Sequence, residues 1–245
     1  MLKADNDLNH PLALRFADFI RAQGFPCVGA KAALKKGGMR FVVGRDFRSA
    51  WDDLRIIPAL LHLAKDYVSD PRPFQSLAVL FEDGAPMDEA AFELLLWERL
   101  QSLTDKDEWL GQLGDPRVGH DPEDPHFAMS FGGQGFFIVG LHPKASRPAR
   151  CFEAPVLVFN LHDQFEQLRA EQRYEPLRTK ILERDLHLAG SVNPMLARHG
   201  QTSSARQYSG RAVDEAWTCP FSGRSSVRGA AVNDGNGIDG NRDAA

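Results

Sequence analysis

Cysteine is scarce in this chain, which has three in 245 residues: Cys27, Cys151 and Cys219. No two of them form a Cys-x-x-Cys pair, so the sequence offers neither a disulfide framework nor a thiolate zinc site. Scattered thiols of this kind are typical of proteins kept in a reducing compartment. We therefore expect a cytoplasmic protein.

Long apolar runs are also lacking. The longest, FFIVGL at 136–141, is far short of the roughly 20 residues that a membrane-spanning helix needs. The first ten residues, MLKADNDLNH, are polar and charged where a secretory signal would have an apolar segment. These absences predict a protein with no membrane partner and a cytoplasmic location.

An excess of positive charge is absent as well. The formal net charge is −4, from 29 Lys and Arg against 33 Asp and Glu. Proteins that bind nucleic acids usually have a basic surface field, so we expect no nucleic-acid partner. The 43% hydrophobic and 25% charged content is that of an ordinary globular domain.

Familiar catalytic motifs are missing from the sequence. Gly132-Gly133-Gln134-Gly135 lacks the Lys-Ser/Thr pair that completes a phosphate-binding P-loop, and it predicts a hairpin turn instead. The chain has no Gly-x-Ser-x-Gly motif for a nucleophilic serine and no dinucleotide-binding fingerprint.

Hydrophobic periodicity predicts an α+β domain with a partly antiparallel sheet flanked by helices. Helices are predicted at 11–23, before Gly37, from Ser49 onward with a kink or break at Pro58, after Asp88, after Asn160 and from Pro176 to 188. Strands are predicted at 40–43, 76–81, 126–131, 136–141 and 154–159. We expect an N-terminal arm at 1–10, one domain at 11–221 and a disordered tail at 222–245, where small polar residues dominate.

The segment 131–150 is the most informative part of the chain. His142 ends a glycine-broken apolar run, and Lys144, Arg147 and Arg150 follow within eight residues. An imidazole beside several cations is suited to an iron porphyrin, because the iron needs an axial ligand and the propionates need basic partners. The same residues suit a strand that ends in a solvated basic loop.

Other residues offer alternative ligands. His162 lies where a predicted strand gives way to a helix, so it is suited either to a metal or to the free amides of the helix start. Cys219, next to Pro220, could present a thiolate or remain a buried inert thiol. His120 and His126 flank an acidic loop that could hold a non-haem metal or simply be solvated.

Six segments occur in a fixed order along the chain. They are FPCVGAK at 25–31, GLHPKASRPAR at 140–150, VFNLHDQFEQLR at 158–169, NPML at 193–196, ARQYSGR at 205–211 and WTCPF at 217–221. This ordered set resembles the YqcI/YcgG family, and the similarity extends from about residue 11 to 221.

The resemblance implies an activity that the residues alone do not. Characterised enzymes of that family are haem-dependent N-hydroxylases that act on guanidine groups in the biosynthesis of guanitoxin and D-cycloserine. It therefore implies haem b, a guanidine-containing or amine substrate such as an arginine derivative, O2 or peroxide as oxidant, and an electron donor. A haem-binding sensor or carrier without turnover is the alternative, and a non-haem metal enzyme is a third.

Within this resemblance, His142 is our first candidate for the axial ligand, with His162 second and Cys219 third. Arg147 and Arg150 are the first candidates for the propionates.

Further residues of the matching segments are assigned on the same basis. Lys144 joins the candidate propionate partners, with Arg206 and Arg211 in reserve, while Tyr208 and Gln207 are candidate hydrogen-bond donors to bound oxygen or substrate. Outside these segments, the acids Asp121, Glu123, Asp124 and Glu153 are equal candidates for the carboxylate that a guanidinium substrate needs.

Overall fold

The computed structural model describes residues 6–83, 87–195 and 200–224. In these ranges the helices are α1 (Pro11–Arg21), α2 (Val28–Lys35), α3 (Asp53–Ser69), α4 (Glu89–Trp109), α5 (Asp163–Ala170), α6 (Tyr174–Ala189) and α7 (Ala205–Tyr208). The strands are β1 (Met39–Asp46), β2 (Ser76–Asp83), β3 (Met129–Phe131), β4 (Gln134–Leu141) and β5 (Val156–Leu161). The predicted α+β class is confirmed. None of the described helices is long and apolar enough to cross a membrane.

The five strands form one mixed sheet in the order β1-β2-β5-β4-β3. β1 and β2 are parallel and are connected through α3, whereas the other neighbouring pairs are antiparallel. β3 and β4 form the predicted hairpin. Gly132 and Gly133 make its turn with φ values of 57° and 74°, a conformation that glycine adopts without steric cost.

Strand alternation divides the core into two layers, because successive side chains point to opposite faces of the sheet. On β4, Phe136 and Ile138 belong to the layer that also contains the apolar residues of α3 and α4. Leu141 belongs to the opposite layer, which contains the apolar residues of α1, and Val139 packs against it. The same alternation along β5 decides which of its side chains point to the α1 side of the sheet.

Helix α3 is continuous through Pro58, so of the kink or break predicted there the break does not occur. Asp88 caps α4 as the sequence predicts, and its side chain accepts a hydrogen bond of 2.8 Å from the backbone N–H of Ala91. The two helices are joined by Asp53, which contacts Arg99 at 2.8 Å in the buried interface.

The described part of the predicted N-terminal arm packs along β1. The backbone N–H of Phe41 donates to the Asn6 side chain, and that of Val43 donates to the Asp7 carboxylate at 2.7 Å. These contacts cover part of an otherwise open sheet edge.

At the other end, the packed chain extends at least to Arg224, three residues beyond the predicted domain end at residue 221. Arg224 is buried and contacts the Asp107 carboxylate, and its guanidinium also donates to the backbone carbonyls of Ser130 and Gln112. Most of the predicted tail, 225–245, lies outside the described residues.

Candidate functional site

A cavity of about 300 Å³ lies on the face of the sheet opposite α3 and α4. Its floor is formed by alternate residues of the two central antiparallel strands, and α5 and α6 contribute to its walls. The larger apolar residues of the lining are Phe16, Ile20, Phe25, Met39, Phe127, Phe137, Val139, Leu141, Val158, Phe165, Leu177, Ile181 and Leu182. The volume is at the lower end of the range of cofactor and ligand sites, roughly 300–1,000 Å³.

The exposure of α6 explains why a cavity exists at this place. Asp185 is its one buried residue, while Leu177, Ile181 and Leu182 face the cavity and stay only half-buried. An amphipathic helix normally covers its apolar stripe with protein atoms. In α6 the apolar stripe faces the cavity instead, which suits an apolar ligand.

The charges around the cavity are unequal. Among the described residues, its lining contains the four arginines 147, 150, 169 and 178 and one carboxylate, that of Asp185. Basic groups around apolar walls create a positive potential in a region of low dielectric constant. The cavity is therefore suited to an apolar molecule that has acidic groups at its edge.

Arg147 connects the loop after β4 to α6. Its guanidinium pairs with Asp185 and donates to the side chain and backbone carbonyl of Ser191. The Arg147 Nε is buried and has no hydrogen-bond partner in the described part of the chain. A buried donor without an acceptor is costly, so this atom favours an anionic ligand.

Arg169 has a similar arrangement on α5. It pairs with Glu166, and its guanidinium lies 4.7 Å from the centre of the Tyr174 ring. Its Nε is also buried without an acceptor among the described residues. Arg147 and Arg169 are thus the two cavity arginines that each have an unsatisfied donor.

Arg150 differs from Arg147 and Arg169 because its guanidinium binds only backbone carbonyls among the described residues. Its guanidinium donates to the backbone carbonyls of Gly140, Gln207 and Tyr208 at 2.9 to 3.0 Å. Burial lowers the pKa of Arg150 to about 10, which leaves the group charged at neutral pH. Arg150 lines the cavity, but its terminal nitrogens connect β4 to α7.

His162 follows β5 directly and lies on the cavity face. Val158 and Asn160 line the cavity, and the two-residue period of the strand brings His162 to the same side. Its backbone N–H donates to the carbonyl of Gly135 at 2.8 Å, which fixes it against β4. The side chain is 15% exposed, and the residue also lines a neighbouring polar pocket.

The start of α5, next to His162, is held by a polar network. The Asp163 carboxylate accepts hydrogen bonds from Tyr67 at 2.9 Å, from Gln167 at 2.8 Å and from Arg117 at 3.0 Å. Burial, followed by the Asp163 contact, raises the pKa of Tyr67 above its usual range, so the phenol stays protonated as the donor. These bonds keep His162 at a fixed position relative to the sheet.

Asp115 extends the network to the β3–β4 hairpin. Its carboxylate accepts from the backbone N–H of Gly135 at 2.8 Å and pairs with Arg117. Burial alone would raise the pKa of Asp115, but the Arg117 guanidinium and the backbone N–H groups of Arg117 and Gly135 outweigh it and lower the pKa. Asp115 is thus held ionised between the hairpin and Arg117.

His142, the first candidate for the axial ligand, does not line the cavity. It is 1% exposed and stacks on Phe92 of α4, with ring centres 4.4 Å apart. Strand parity explains this position, because His142 continues the β4 face that contains Phe136 and Ile138. Burial lowers the pKa of His142, and its Nδ1 has no hydrogen-bond partner among the described residues.

Three candidate propionate partners lie away from the cavity lining. Lys144 is exposed. Arg206 donates to the backbone carbonyls of Asp214 and Trp217. Arg211 pairs with Glu93.

The two candidate donors are separated by the structure. Gln207 lines the cavity. Tyr208 is fully buried and is not among the residues lining the cavity: its ring stacks on Trp97 and meets the Phe137 ring edge-on, and its hydroxyl contacts the Phe136 carbonyl at 3.3 Å. Burial raises the pKa of Tyr208 above its usual range.

Cys219, the third candidate ligand, packs against the α3–α4 layer and does not line the cavity. Burial raises the pKa of Cys219 to about 12, which opposes thiolate formation. His120 and His126 form no metal-binding cluster, since the residues that the structure describes contain no group of three or more His, Cys, Asp and Glu arranged for a metal.

The candidate substrate carboxylates do not line the cavity either. Asp121, Glu123 and Asp124 lie in the loop between α4 and β3, and Glu153 pairs with Arg15 at 2.6 Å. The carboxylate that does line the cavity is Asp185.

Sequence reasoning missed several cavity residues, including Arg169, Arg178 and Asp185. Arg169 ends one of the segments quoted for the resemblance, so it could have been considered with His162. Cys27 lies in another of these segments; it lines the cavity and caps α2, with its Sγ accepting from the N–H of Ala30 at 3.4 Å. Burial raises the pKa of Cys27, so the thiol form is favoured.

Comparisons with known proteins agree with the sequence segments. No curated protein and no solved structure matches this chain. The model of the YqcI/YcgG family matches residues 16–222, which include both layers of the core and most of the residues around the cavity. The chain belongs to the YqcI/YcgG family.

Proposed function

We propose that this protein is a haem-dependent N-hydroxylase that acts on a guanidine-containing or amine small molecule such as an arginine derivative. The observation that carries the proposal is the cavity, which combines apolar walls, a histidine and four arginines against one carboxylate. The activity itself comes from the family resemblance, and the cavity is the place in the chain that is suited to it.

The residues present fit a haem in three respects. A flat apolar macrocycle is suited to the space between Phe137 and Val139 on the sheet and the apolar stripe of α6. The lining side chains have four positive charges and one negative, so two propionates would reduce the excess from three to one. The buried Nε atoms of Arg147 and Arg169 would gain acceptors.

His162 becomes the first candidate for the axial ligand in this proposal, ahead of His142 and Cys219. It lines the cavity, and its position is fixed through Gly135 and the network at the start of α5. His142 is stacked on Phe92 on the opposite face of the sheet.

A bound haem would supply the activation of oxygen or peroxide. The protein would contribute two effects: its apolar side chains exclude water from the cavity, and its basic groups orient the cofactor. Asp185 is the single carboxylate among the described lining residues and is the group that a cationic guanidine would approach. Asn160 and Gln207 provide polar groups in the same lining.

The experiment is a product assay on protein reconstituted with hemin. Arginine and simpler guanidines are supplied with a reductant and O2, or with peroxide, and mass spectrometry detects the addition of one oxygen atom. We expect an N-hydroxylated product from the wild type and from His142→Ala, and loss of product in His162→Ala. Haem binding without a product from any guanidine or amine would contradict the N-hydroxylase and favour a sensor or carrier.

A further inference from the structure

Helix α6 is weakly packed compared with α4. Nine of the 21 residues of α4 are buried, whereas one of the 16 residues of α6, Asp185, is buried. The side of α6 that faces the protein is the apolar stripe that lines the cavity, and this stripe is only half-buried. Elements with few buried apolar contacts open at a lower free energy than the core of the same protein. We therefore expect α6 to be a wall of the cavity that moves at little cost.

Both ends of α6 have a residue at which the chain changes direction. Gln172, in the turn between α5 and α6, has φ of 56°, and Gly190, directly after the helix, has φ of 71°. The turn also joins α6 to α5, because the backbone N–H of Arg173 donates to the carbonyl of Leu168 at 2.8 Å. Hinges of moving helices are usually a few residues at the ends of the element. The positions at Gln172 and Gly190 are suited to this role.

The C-terminal half of α6 is held mainly through Arg147. Its guanidinium pairs with Asp185 and donates to the Oγ and the backbone carbonyl of Ser191 at 3.0 and 2.9 Å. A further hydrogen bond, from Arg184 to the carbonyl of Gln23, is exposed. The Arg147 and Asp185 side chains are 12% and 7% exposed, so solvent screens their attraction less than that of a surface pair.

We propose that α6 is a lid over the cavity and that the Arg147–Asp185 pair is the latch that keeps it closed. The proposal concerns how a ligand enters, and it rests on the proposed function for the identity of that ligand. Both residues of the latch line the cavity. An acidic group that enters the cavity competes with Asp185 for the Arg147 guanidinium, so its arrival weakens the latch and shifts α6 toward the open state. A neutral apolar molecule lacks this effect.

The test is Asp185→Asn, with Glu183→Gln as the matched control. Both changes remove one negative charge from α6, but Glu183 is exposed and is not among the described residues that line the cavity. Amide hydrogen exchange of the ligand-free proteins is followed by mass spectrometry in peptides from α6, α4 and β4. In the wild type we expect the amides of α6 to exchange faster than those of α4 and β4.

We expect Asp185→Asn to increase the exchange rate of the α6 amides about tenfold, with α4 and β4 unchanged. A factor of ten corresponds to about 1.4 kcal/mol, near the lower end of the contribution of a hydrogen bond to a charged group, because asparagine keeps one oxygen acceptor for Arg147. Glu183→Gln should match the wild type. If Asp185→Asn fails to fold, Ser191→Ala replaces it; this change removes one Arg147 bond at an exposed residue and should increase the exchange rate about threefold.

Hemin uptake, followed by the Soret band in stopped-flow experiments, is the second measurement. Because opening of the lid precedes binding, the uptake rate of the wild type should level off as the hemin concentration increases. This limiting rate should be about tenfold higher in Asp185→Asn and unchanged in Glu183→Gln.

The outcomes separate the lid from the proposed function. The lid is refuted if the wild-type α6 exchanges as slowly as α4, or if Asp185→Asn and Glu183→Gln have the same α6 exchange rate, whether or not hemin binds. An uptake rate that increases in proportion to hemin concentration without levelling off would also overturn the proposal, because the ligand would then enter without waiting for α6. If the wild type takes up no hemin while α6 exchanges as expected, the proposed function fails and the lid stands.

Discussion

Replacing Arg150 with methionine should destabilise the fold by about 3–5 kcal/mol. The substitution keeps much of the apolar side-chain volume but removes hydrogen bonds to the carbonyls of Gly140, Gln207 and Tyr208. Each buried carbonyl left without a donor costs about 1–3 kcal/mol, and we take about 1–1.7 kcal/mol for each of the three because water can enter from the cavity.

The assay is urea denaturation followed by circular dichroism. A chain of this size has a denaturant slope of about 3 kcal/mol per molar urea, so the midpoint should fall by about 1 to 1.7 M. Lys144→Met is the matched control, because Lys144 is an exposed cation on the same loop. Its midpoint should equal that of the wild type.

A second variant tests the same contact from the other side. Gly210 has φ of +87°, and a Cβ there would lie 3.3 Å from the Arg150 Nη1. Gly210→Ala should therefore cost about 1–2 kcal/mol. If Arg150→Met shifted the midpoint no more than the Lys144 control, Arg150 would not be the structural link described here, and a direct role at a ligand would become the better explanation of its burial.

Three other expectations concern the residues that hold the site. The pKa of Asp115 is lower in the folded chain than its unfolded value of about 3.9, so the ionised carboxylate stabilises the fold at higher pH, and this stability is lost as the pH falls through the folded pKa. Asp115→Asn should therefore lose less stability in acid than the wild type. Urea midpoints at pH 7 and pH 3 should therefore differ less in this variant, and an equal difference would contradict the assignment. Gly140→Ala should cost about 1–3 kcal/mol by thermal unfolding, because its Cβ would lie 2.7 Å from a Phe92 ring carbon; an unchanged transition would show that α4 is loosely packed. Tyr67→Phe should cost about 1 kcal/mol in urea, since it removes a donor to Asp163 from the start of α5, and a neutral effect would show that the other donors suffice.

Much of the fold could be predicted because local patterns determine it. The hydrophobic period of α1 and the cap at Asp88 locate two helices, and the paired glycines at 132 and 133 locate the hairpin. The break that Pro58 made one of two predicted alternatives does not occur, because tertiary packing of α3 outweighs the lost hydrogen bond.

The candidate site could be predicted only in part. The basic loop after β4 indicates a region rich in arginine, but contacts far apart in sequence decide which cations line the cavity, as with Arg147 and Asp185. The alternation of side chains along a strand is the sequence signal that distinguishes the positions of the two histidines. His142 continues the α4-facing side of β4, while His162 continues the cavity side of β5.

The central claim is that the cavity beside His162 binds haem. The most direct measurement is a hemin titration of the purified protein and of His162→Ala and His142→Ala, followed by the Soret band. We expect a saturable Soret shift in the wild type and in His142→Ala, and a weaker, displaced band in His162→Ala. A wild type that takes up no hemin, or a His162→Ala protein with the wild-type spectrum while His142→Ala loses it, would contradict the account.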